Sequence, residues 1–352
     1  MFNALPADSK AFYYSILVSA LNAIRLDHVP DNFDAARFNT DGLDRSKDFN
    51  PTHRAYYFDW FMQNHEQLYA AYCQLEDDAS KNLYLHLIAY RLGGHLCVKL
   101  PVAFANRKRQ LKEYMAIENA APSALESGSL AGKLKHYDFE FEGHKYVADC
   151  MGFEGYLFRR QYFYAKDGVI ICPELGDTVI DGGACLGDTA LVFSNAVGAE
   201  GRVYSFDPVA DHLDILAHNI KQFPLANVVV MPYGLSNKNI DFAPIVLNQY
   251  APGFHAGNQS IPLRSIDYLV RNKKIDKVDF LKLDVEGAEM DTLLGAAQSI
   301  ERFKPKLAIS LYHKPNDLFE LIAHIKQKFP FYTCHIDHYT IHGEETVLYC
   351  QA

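Results

Sequence analysis

The chain contains 352 residues, of which 49% are hydrophobic and 13% aromatic. This composition supports a large folded core and excludes general disorder, and the length suggests about two domains, or one large domain with an appendage. The 34 basic and 43 acidic residues give a formal net charge of −9. Such a charge argues against a nucleic-acid-binding protein that relies on a basic surface.

The cysteines and the hydrophobic runs indicate the cellular compartment of the protein. The seven cysteines are scattered and include no C-x-x-C pair, which favours a reducing cytoplasm over a disulfide framework or a zinc site. No hydrophobic run reaches the roughly 18 to 20 residues of a membrane helix. A signal peptide at 11–24 is disfavoured because Asp8 precedes the run and no A-x-A site follows. We therefore predict a cytoplasmic protein without a membrane span.

The first third of the sequence is predicted to be helical. A helix over 11–24 is indicated by hydrophobic residues at helical spacing, namely Tyr13, Ile16, Leu17, Ala20, Leu21 and Ile24. After a polar connection over 27–51, further helices are predicted at about 54–75, 78–92 and 108–120. Asp78 and Ser80 offer N-caps to the third helix, and Gly93-Gly94 ends it.

A cluster of loop residues, Pro122, Ser127, Gly128, Ser129 and Gly132, places a domain boundary near residue 135. We predict a helical N-terminal domain over 1–135, a β-rich lead-in over 136–168 and a second domain over 169–352. In the lead-in, hydrophobic and polar residues alternate around Glu142-Gly143, which predicts a hairpin.

Strands and helices alternate through the second domain. The predicted strands are 178–181, 202–206, 227–231, 279–284 and 306–311, and the helices lie near 188–197, 209–222, 288–302 and 315–328. This alternation predicts a doubly wound α/β fold with a parallel sheet. Two β-rich runs at the end of the chain are joined through Gly343 without a helix, so the last strand is expected to run antiparallel.

A glycine-rich turn follows the first of these strands, with the sequence Gly182-Gly183-Ala184-Cys185-Leu186-Gly187-Asp188-Thr189. Such a turn lets a ligand approach the backbone beyond the carboxyl ends of the strands. A dinucleotide motif would need a glycine where Ala184 or Cys185 stands. Asp188 at the helix start also disfavours a phosphate, which needs positive potential there.

S-adenosylmethionine fits the same turn better, because it carries a sulfonium and an amino group and no phosphate. Asp181 at the strand tip suits these positive groups. Asp207, at the end of the next strand, can accept hydrogen bonds from ribose hydroxyls, and Pro208 fixes the chain beside the adenosine.

A second group of acidic residues, Asp284, Glu286 and Glu289, surrounds Gly287 after the fourth strand. Carboxylates this close repel each other, and a helix N-terminus offsets part of the repulsion. We predict that Glu289 caps the helix and that Asp284 faces the crevice. Oxygen ligands would suit Mg²⁺, but capping and substrate hydrogen bonding are favoured, and we predict no metal.

His313 lies beyond the carboxyl end of the fifth strand and is the predicted general base, because imidazole titrates near neutral pH. His335, His338 and His342 are expected to be surface or packing residues, with His338 the strongest alternative base. Tyr162 could cover the cofactor, but packing within an aromatic-rich segment is favoured.

These motifs together resemble the FkbM family of S-adenosylmethionine-dependent methyltransferases over about residues 160–352. The segments that carry the resemblance are 179–193, 204–208, 280–296, 307–318 and 345–350, of which D-V-E-G-A-E at 284–289 is the most specific. The resemblance implies a class I methyltransferase (Rossmann-like) fold, a seven-stranded sheet with an antiparallel last strand. It also implies methyl transfer to a hydroxyl oxygen, often of a sugar or a secondary metabolite.

The resemblance extends to individual residues. Asp181, Gly183, Gly187 and Asp207 match the family's cofactor positions, and Asp284, Glu286 and His313 match its active-site motifs. Ala184, Asp188, Thr189 and Pro208 complete the candidate cofactor site. The family usually has Glu at the position of Asp207 and often Asn at that of Cys185, and the helical N-terminal third lies outside its shared core.

The sequence therefore predicts an O-methyltransferase acting on a hydroxyl of a sugar, a glycan or a secondary metabolite. His313 would remove the hydroxyl proton while Asp284 or Glu286 orients the acceptor or the base. The N-terminal helices would supply substrate walls, a lid or a dimer face, and the aromatic content favours a neutral, sugar-like acceptor. Two alternatives stay open: a nucleotide-sugar oxidoreductase on a Rossmann sheet, and a non-catalytic S-adenosylmethionine-binding protein.

Overall fold

The computed structural model of the chain describes residues 2, 4–26, 51–95, 97–102, 107–127, 133–245 and 259–352. The chain divides into two compact units. The first consists of Met1–Asn106 and Leu311–Leu348, and the second of Arg107–Ser310 and Tyr349–Ala352. The predicted domain boundary near residue 135 stays a prediction.

The N-terminal helices are α1 (Ser9–Leu26), α2 (Pro51–Cys73) and α3 (Asp78–Gly93), which confirms the three predicted helices. The predicted polar connection lies almost entirely outside the described residues. None of the helices in the described ranges is long and hydrophobic enough to cross a membrane.

Two local predictions in these helices were wrong in detail. Helix α1 buries Phe12, Ile16, Ala20 and Ala23, whereas Leu21 of the predicted stripe is exposed. The helical spacing was correct, but a stripe with hydrophobic residues on both sides does not fix which face is buried. The N-cap of α3 is Asp77, whose carboxylate accepts the Ser80 N–H at 2.7 Å, one residue before the predicted cap.

The segment after these helices is β-rich. It contains α4 (Lys108–Ile117), β1 (Ala120–Pro122), β2 (Lys135–Phe141), β3 (His144–Cys150), α5 (Glu154–Leu157), β4 (Tyr164–Lys166) and β5 (Val169–Ile171). Strands β2 and β3 form the predicted hairpin, and Glu142 and Gly143 at its turn have φ of 49° and 79°. Pro122 ends β1 rather than lying in a loop, and residues 128–132 of the predicted loop lie outside the described residues.

The alternation of strands and helices follows. Its elements are β6 (Thr178–Gly182), α6 (Asp188–Val197), β7 (Arg202–Phe206), α7 (Ala210–Asn219), β8 (Val228–Met231), β9 (Gly234–Leu235), β10 (Ile240–Ile245), β11 (Gln259–Arg264), α8 (Ile266–Arg271), β12 (Phe280–Leu283), α9 (Glu289–Gly295), α10 (Ala297–Phe303) and β13 (Lys306–Ser310). The predicted helix at 288–302 is split after Gly295, where a Cβ would lie 2.2 Å from the Ser236 carbonyl oxygen. The small sheet of β9, β10 and β11 was not predicted.

The chain ends with α11 (Asp317–Lys328), β14 (Thr333–His338) and β15 (Thr346–Gln351). Within the described residues, seven strands form one sheet in the order β14-β15-β13-β12-β6-β7-β8. Strands β6, β7, β8, β12 and β13 are parallel where they pair. This order confirms the predicted doubly wound sheet with an antiparallel last strand. The central strands are buried along almost their whole length, as expected for parallel strands covered on both faces.

In the first unit, the N-terminal helices pack against residues from the end of the chain. Trp60 Nε1 donates to Asn316 Oδ1 at 2.9 Å, and the buried Tyr84 hydroxyl donates to the Leu318 carbonyl at 3.2 Å. At the N-terminus of α3, His335 Nδ1 of β14 lies 2.6 Å from Oδ2 of the N-cap residue Asp77. The helical third therefore shares its core with α11 and β14.

The turn after β6 provides a test of the fold. Gly183 has φ of +80°, and a Cβ at this position would lie 1.8 Å from the Asp284 carbonyl oxygen. Gly143 has the nearly identical φ of +79° with nothing within 4 Å of its Cβ position. We expect Gly143→Ala to lower the free energy of unfolding by about 1 kcal/mol through backbone strain alone, and Gly183→Ala by about 3 kcal/mol or more through strain plus the clash. Denaturant unfolding measures both values, and equal losses would contradict the close approach.

Candidate active site

The glycine-rich turn is held against the end of β7. The backbone N–H groups of Gly183 and Ala184 both donate to the Phe206 carbonyl at 2.9 Å. Gly187 has φ of +93° and is the N-cap of α6, and a Cβ there would lie 2.5 Å from Leu216 Cδ1. Both glycines therefore stand where a larger residue would not fit, which agrees with a turn built for close approach.

Asp207 follows β7 directly and is 5% exposed. Its Oδ2 accepts the Cys185 N–H at 3.0 Å, its Oδ1 accepts the Val209 N–H at 2.9 Å, and His212 Nδ1 lies 3.1 Å from the same Oδ1. Its neighbour Pro208 is partly buried. These bonds fix the carboxylate beside the turn, and contact with a ribose stays a prediction.

Asp181 forms a buried ion pair with Lys282 of the neighbouring strand β12. The carboxylate is completely buried, the lysine is 1% exposed, and Oδ1 lies 3.1 Å from Nζ. The lysine also donates to the Gly183 carbonyl at 2.8 Å, and Thr189 Oγ1 donates to Asp181 Oδ2 at 2.9 Å. Burial by itself would lower the pKa of Lys282, but the Asp181 and Asp284 carboxylates raise it above its usual value.

Asp188 occupies the first turn of α6. Burial raises the pKa of Asp188 from its ordinary 3.8 to about 6, although the Thr189 N–H donates to its Oδ1 at 2.9 Å. The nearby Asp181 carboxylate adds to this increase, while Lys282 opposes it. Ala184, the remaining candidate cofactor residue, is completely buried beneath the turn.

Asp284 lies just after β12 and accepts a hydrogen bond from Tyr162. The Tyr162 hydroxyl donates to Asp284 Oδ2 at 2.8 Å, and its backbone N–H donates to the Tyr349 hydroxyl at 2.9 Å. The tyrosine is 1% exposed and its ring lies 5.3 Å from Lys282 Nζ. Tyr162 packs as predicted, but it also fixes a candidate catalytic carboxylate, a role that the sequence interpretation did not assign.

The two glutamates of the acidic segment have different environments. Glu289 is completely buried, and its Oε1 accepts the Val285 N–H at 2.8 Å. This contact ties Glu289 to the segment before α9 rather than to an N–H group of the helix, and the predicted capping stays a prediction. Glu286 is exposed and has φ of +54°, so it presents its carboxylate to solvent from a left-handed backbone conformation.

His313 lies in the first unit and lines a cavity of about 320 Å³. We call this space the Arg91 cavity; its walls include His53, Tyr57, Tyr90, Arg91, Tyr312 and Glu344. The His313 ring centroid lies 4.3 Å from that of Tyr312. The candidate cofactor residues, with Asp284 and Glu286, lie in the second unit.

The three histidines near the end of the chain are buried packing residues. His338 Nδ1 lies 2.8 Å from Thr346 Oγ1, and its Nε2 lies 2.7 Å from the His342 carbonyl oxygen. His335 is 3% exposed and His342 is 5% exposed. The expectation of a packing role is confirmed for all three, and a surface position is excluded.

Lys282 is the residue of this site that the sequence interpretation missed. Its signal was a charged residue within the hydrophobic strand 280–283. A strand buried on both faces has no solvated side, so a lysine inside it must meet a carboxylate. No group of three or more metal-ligating side chains occurs among the described residues.

Comparison with known proteins identifies the class of fold first. A crystal structure of methyltransferase FkbM from Methylobacillus flagellatus is similar with a TM-score of 0.52 and 20% identity, over 82% of this chain and 59% of that chain. At this identity the likeness shows the fold alone. Together with the strand order, it identifies the predicted class I methyltransferase fold.

The family resemblance is supported by the sequence. Residues 181–335 match the methyltransferase FkbM domain, which confirms the predicted resemblance over this part of the chain. The hexuronic acid methyltransferase AglP of Haloferax volcanii is 28% identical over 158 residues, which are 44% of this chain and 64% of AglP. The chain thus spans less than two thirds of the length of each of these two relatives.

The raised pKa of Asp188 predicts a pH-dependent stability. Below about pH 4 the Asp188 carboxyl is neutral in both the folded and the unfolded protein. Between about pH 4 and 6 it ionises only in the unfolded chain, so the free energy of unfolding falls as the pH rises. Above about pH 6 this loss of stability is complete. We expect Asp188→Asn, in the protein without ligand, to raise the free energy of unfolding by up to about 3 kcal/mol at pH 8 and about half of that at pH 5.

Asp211 provides the matched control for that experiment, because it lies in the first turn of α7 and is exposed. Asp211→Asn is expected to change the free energy of unfolding by less than about 0.5 kcal/mol at both pH values. An Asp188→Asn effect that is independent of pH would show that Asp188 ionises normally in the folded protein.

Proposed function

We propose that this protein is an S-adenosylmethionine-dependent O-methyltransferase that acts on a hydroxyl group of a sugar or glycan. The observation that carries the proposal is the charge around the glycine-rich turn. Four carboxylates, those of Asp181, Asp188, Asp207 and Asp284, lie in this part of the second unit with the buried amine of Lys282. The excess of negative charge favours a positively charged ligand.

The residues at the turn fit S-adenosylmethionine. The cofactor carries two positive groups, the sulfonium and the amino group, and one carboxylate, so its net charge is positive. The pyrophosphate of a dinucleotide, in contrast, would be repelled by the aspartates of the protein. Gly183 and Gly187 leave the backbone open to close approach, and Asp207 offers its oxygens to ribose hydroxyls. Asp181, Ala184, Asp188 and Thr189 would shape the turn from beneath, and Pro208 would lie beside the adenosine.

The acceptor class is inferred from a relative. AglP is named a hexuronic acid methyltransferase, which supports a sugar hydroxyl as the acceptor for this chain. The match of residues 181–335 to the methyltransferase FkbM domain supports methyl transfer as the reaction.

The proposed mechanism assigns a task to each candidate catalytic residue. The cofactor would supply an electrophilic methyl group, and holding an acceptor hydroxyl in line with it accounts for much of the acceleration. His313 would take the proton of the acceptor hydroxyl during attack. Asp284, fixed by the Tyr162 hydroxyl, and the exposed Glu286 would orient the acceptor or the base.

Calorimetric titration with S-adenosylhomocysteine, NAD and NADP tests the cofactor. We expect binding of S-adenosylhomocysteine alone and, at 100 times its Kd, an increase of about 2.7 kcal/mol in the free energy of unfolding. Binding of a dinucleotide alone would contradict the proposal and favour the oxidoreductase. Binding of S-adenosylhomocysteine without methyl transfer to any member of a sugar panel would favour the non-catalytic alternative.

Replacement of His313 tests the base. We expect His313→Ala to lower kcat by about 10²-fold or more, because proton transfer in the transition state is lost, and to leave the Kd of S-adenosylhomocysteine unchanged. Methyl transfer to the best acceptor of a panel of hexoses and hexuronic acids provides the readout. His144→Ala is the control, since His144 is exposed at the start of β3. Unchanged turnover in His313→Ala would assign the base to another group.

A further inference from the structure

We infer that the Arg91 cavity binds a sugar-like ligand that carries an anionic group, a carboxylate or a phosphate, and that Arg91 recognises this group. The identification of the ligand as the methyl acceptor rests on the proposed function, because His313, the proposed base, lines the same cavity. The binding itself concerns only residues of the first unit.

The direct contacts of the Arg91 guanidinium among the described residues are with uncharged groups. Its Nη1 donates to the Pro315 carbonyl at 2.6 Å, and its guanidinium carbon lies 5.3 Å from the centre of the Trp60 ring. Burial lowers the pKa of Arg91, and the Tyr57, Tyr84 and Asp317 side chains oppose this, but an arginine stays protonated in proteins.

The guanidinium plane is held in place by its neighbours. Trp60, on which it stacks, is 5% exposed and donates its indole N–H to Asn316. With one edge bonded to the Pro315 carbonyl and one face on the indole, the group has donors left over, since a guanidinium carries five N–H groups in a fixed fork. Such a fork matches the two oxygens of a carboxylate or a phosphate.

The other walls of the cavity suit a hydroxylated ring. Its volume of about 320 Å³ lies at the lower end of the range for small-molecule sites. Tyr57, Tyr90 and Tyr312 offer aromatic surface, and the carboxylate of Glu344 can accept hydrogen bonds from hydroxyls. The imidazoles of His53 and His313 add polar groups. Glu344 is the acidic residue of the lining, so the permanent charges of the lining are one positive and one negative.

This inference differs from the expectation of a neutral acceptor, which was drawn from the net charge and aromatic content of the whole chain. The net charge of −9 is an average over the surface. A partly buried cation whose hydrogen-bond partner is neutral is stabilised further by an anion, because a charge removed from water is stabilised most by an opposite charge. The local environment of Arg91 therefore favours an anionic group on the ligand.

Calorimetric titration of the full chain tests the inference with three probes: methyl β-D-glucuronide, its neutral match methyl β-D-glucoside, and glucose 6-phosphate. We expect at least one anionic probe to bind at least tenfold more tightly than the glucoside. Tighter binding of the glucuronide would identify a carboxylate as the recognised group, and tighter binding of glucose 6-phosphate would identify a phosphate. Each titration is repeated with saturating S-adenosylhomocysteine.

Variants of Arg91 assign the preference to one side chain. Arg91→Gln is expected to weaken binding of the preferred anionic probe at least tenfold and to leave the glucoside unchanged, whereas Arg91→Lys keeps the charge and part of the preference. Arg109→Gln is the control, because the Arg109 side chain is 83% exposed and pairs with Glu113 on the surface of α4.

Three results would overturn the inference. The first is equal affinity of the unmodified protein for the glucuronide, the glucose 6-phosphate and the glucoside. The second is no binding of either anionic probe at about 10 mM, a concentration at which a Kd in the millimolar range would be detected. The third is an anion preference that survives in a folded Arg91→Gln variant. If Arg91→Gln does not fold, the inference is tested by the ratio of the affinities for the anionic probes and the glucoside, measured in the unmodified protein and in Arg91→Lys. The separate titration with S-adenosylhomocysteine reports on the proposed function, so failure of the cofactor site and failure of anion recognition are distinguished.

Discussion

The buried ion pair between Lys282 and Asp181 is the interaction on which the candidate cofactor site depends. It joins β12 to β6 in the middle of the seven-stranded sheet, where neither charge reaches solvent. Removing one partner would leave an uncompensated charge in the core, which typically destabilises a protein by about 3–5 kcal/mol. Because the same lysine also donates to the Gly183 carbonyl, the pair fixes the position of the turn as well as the strands.

The other interactions of the second unit extend from this pair. Thr189 ties Asp181 to α6, and Asp207 bonds to the Cys185 N–H on the far side of the turn. Tyr162 holds Asp284, the carboxylate that follows Lys282 by two residues. The carboxylates are thus held by hydrogen bonds before any ligand arrives, and a site whose groups need not reorganise stabilises developing charge most effectively.

The sequence allowed the central fold to be predicted because its signals are local. Short hydrophobic runs that alternate with amphipathic stretches specify parallel strands and helices, so β7 and α6 were predicted with their observed bounds. Tertiary contacts determined what was missed: the buried face of α1, the split at Gly295 and the packing of the N-terminal helices on α11. The residue types of the site could be predicted from the strand ends. The ion pair of Lys282 with Asp181 and the hydrogen bond of Tyr162 to Asp284, in contrast, join residues more than 100 positions apart in the sequence.

A crystal structure of the protein grown with S-adenosylhomocysteine tests the central claim most directly, because it locates the ligand relative to the turn. The account predicts density for the ligand beside Gly183 and Gly187, with its ribose hydroxyls donating to Asp207 and the Lys282–Asp181 pair intact beneath it. Density at a different place, or an Asp207 that keeps only its bonds to Cys185 and Val209 while the ribose lies elsewhere, would contradict it.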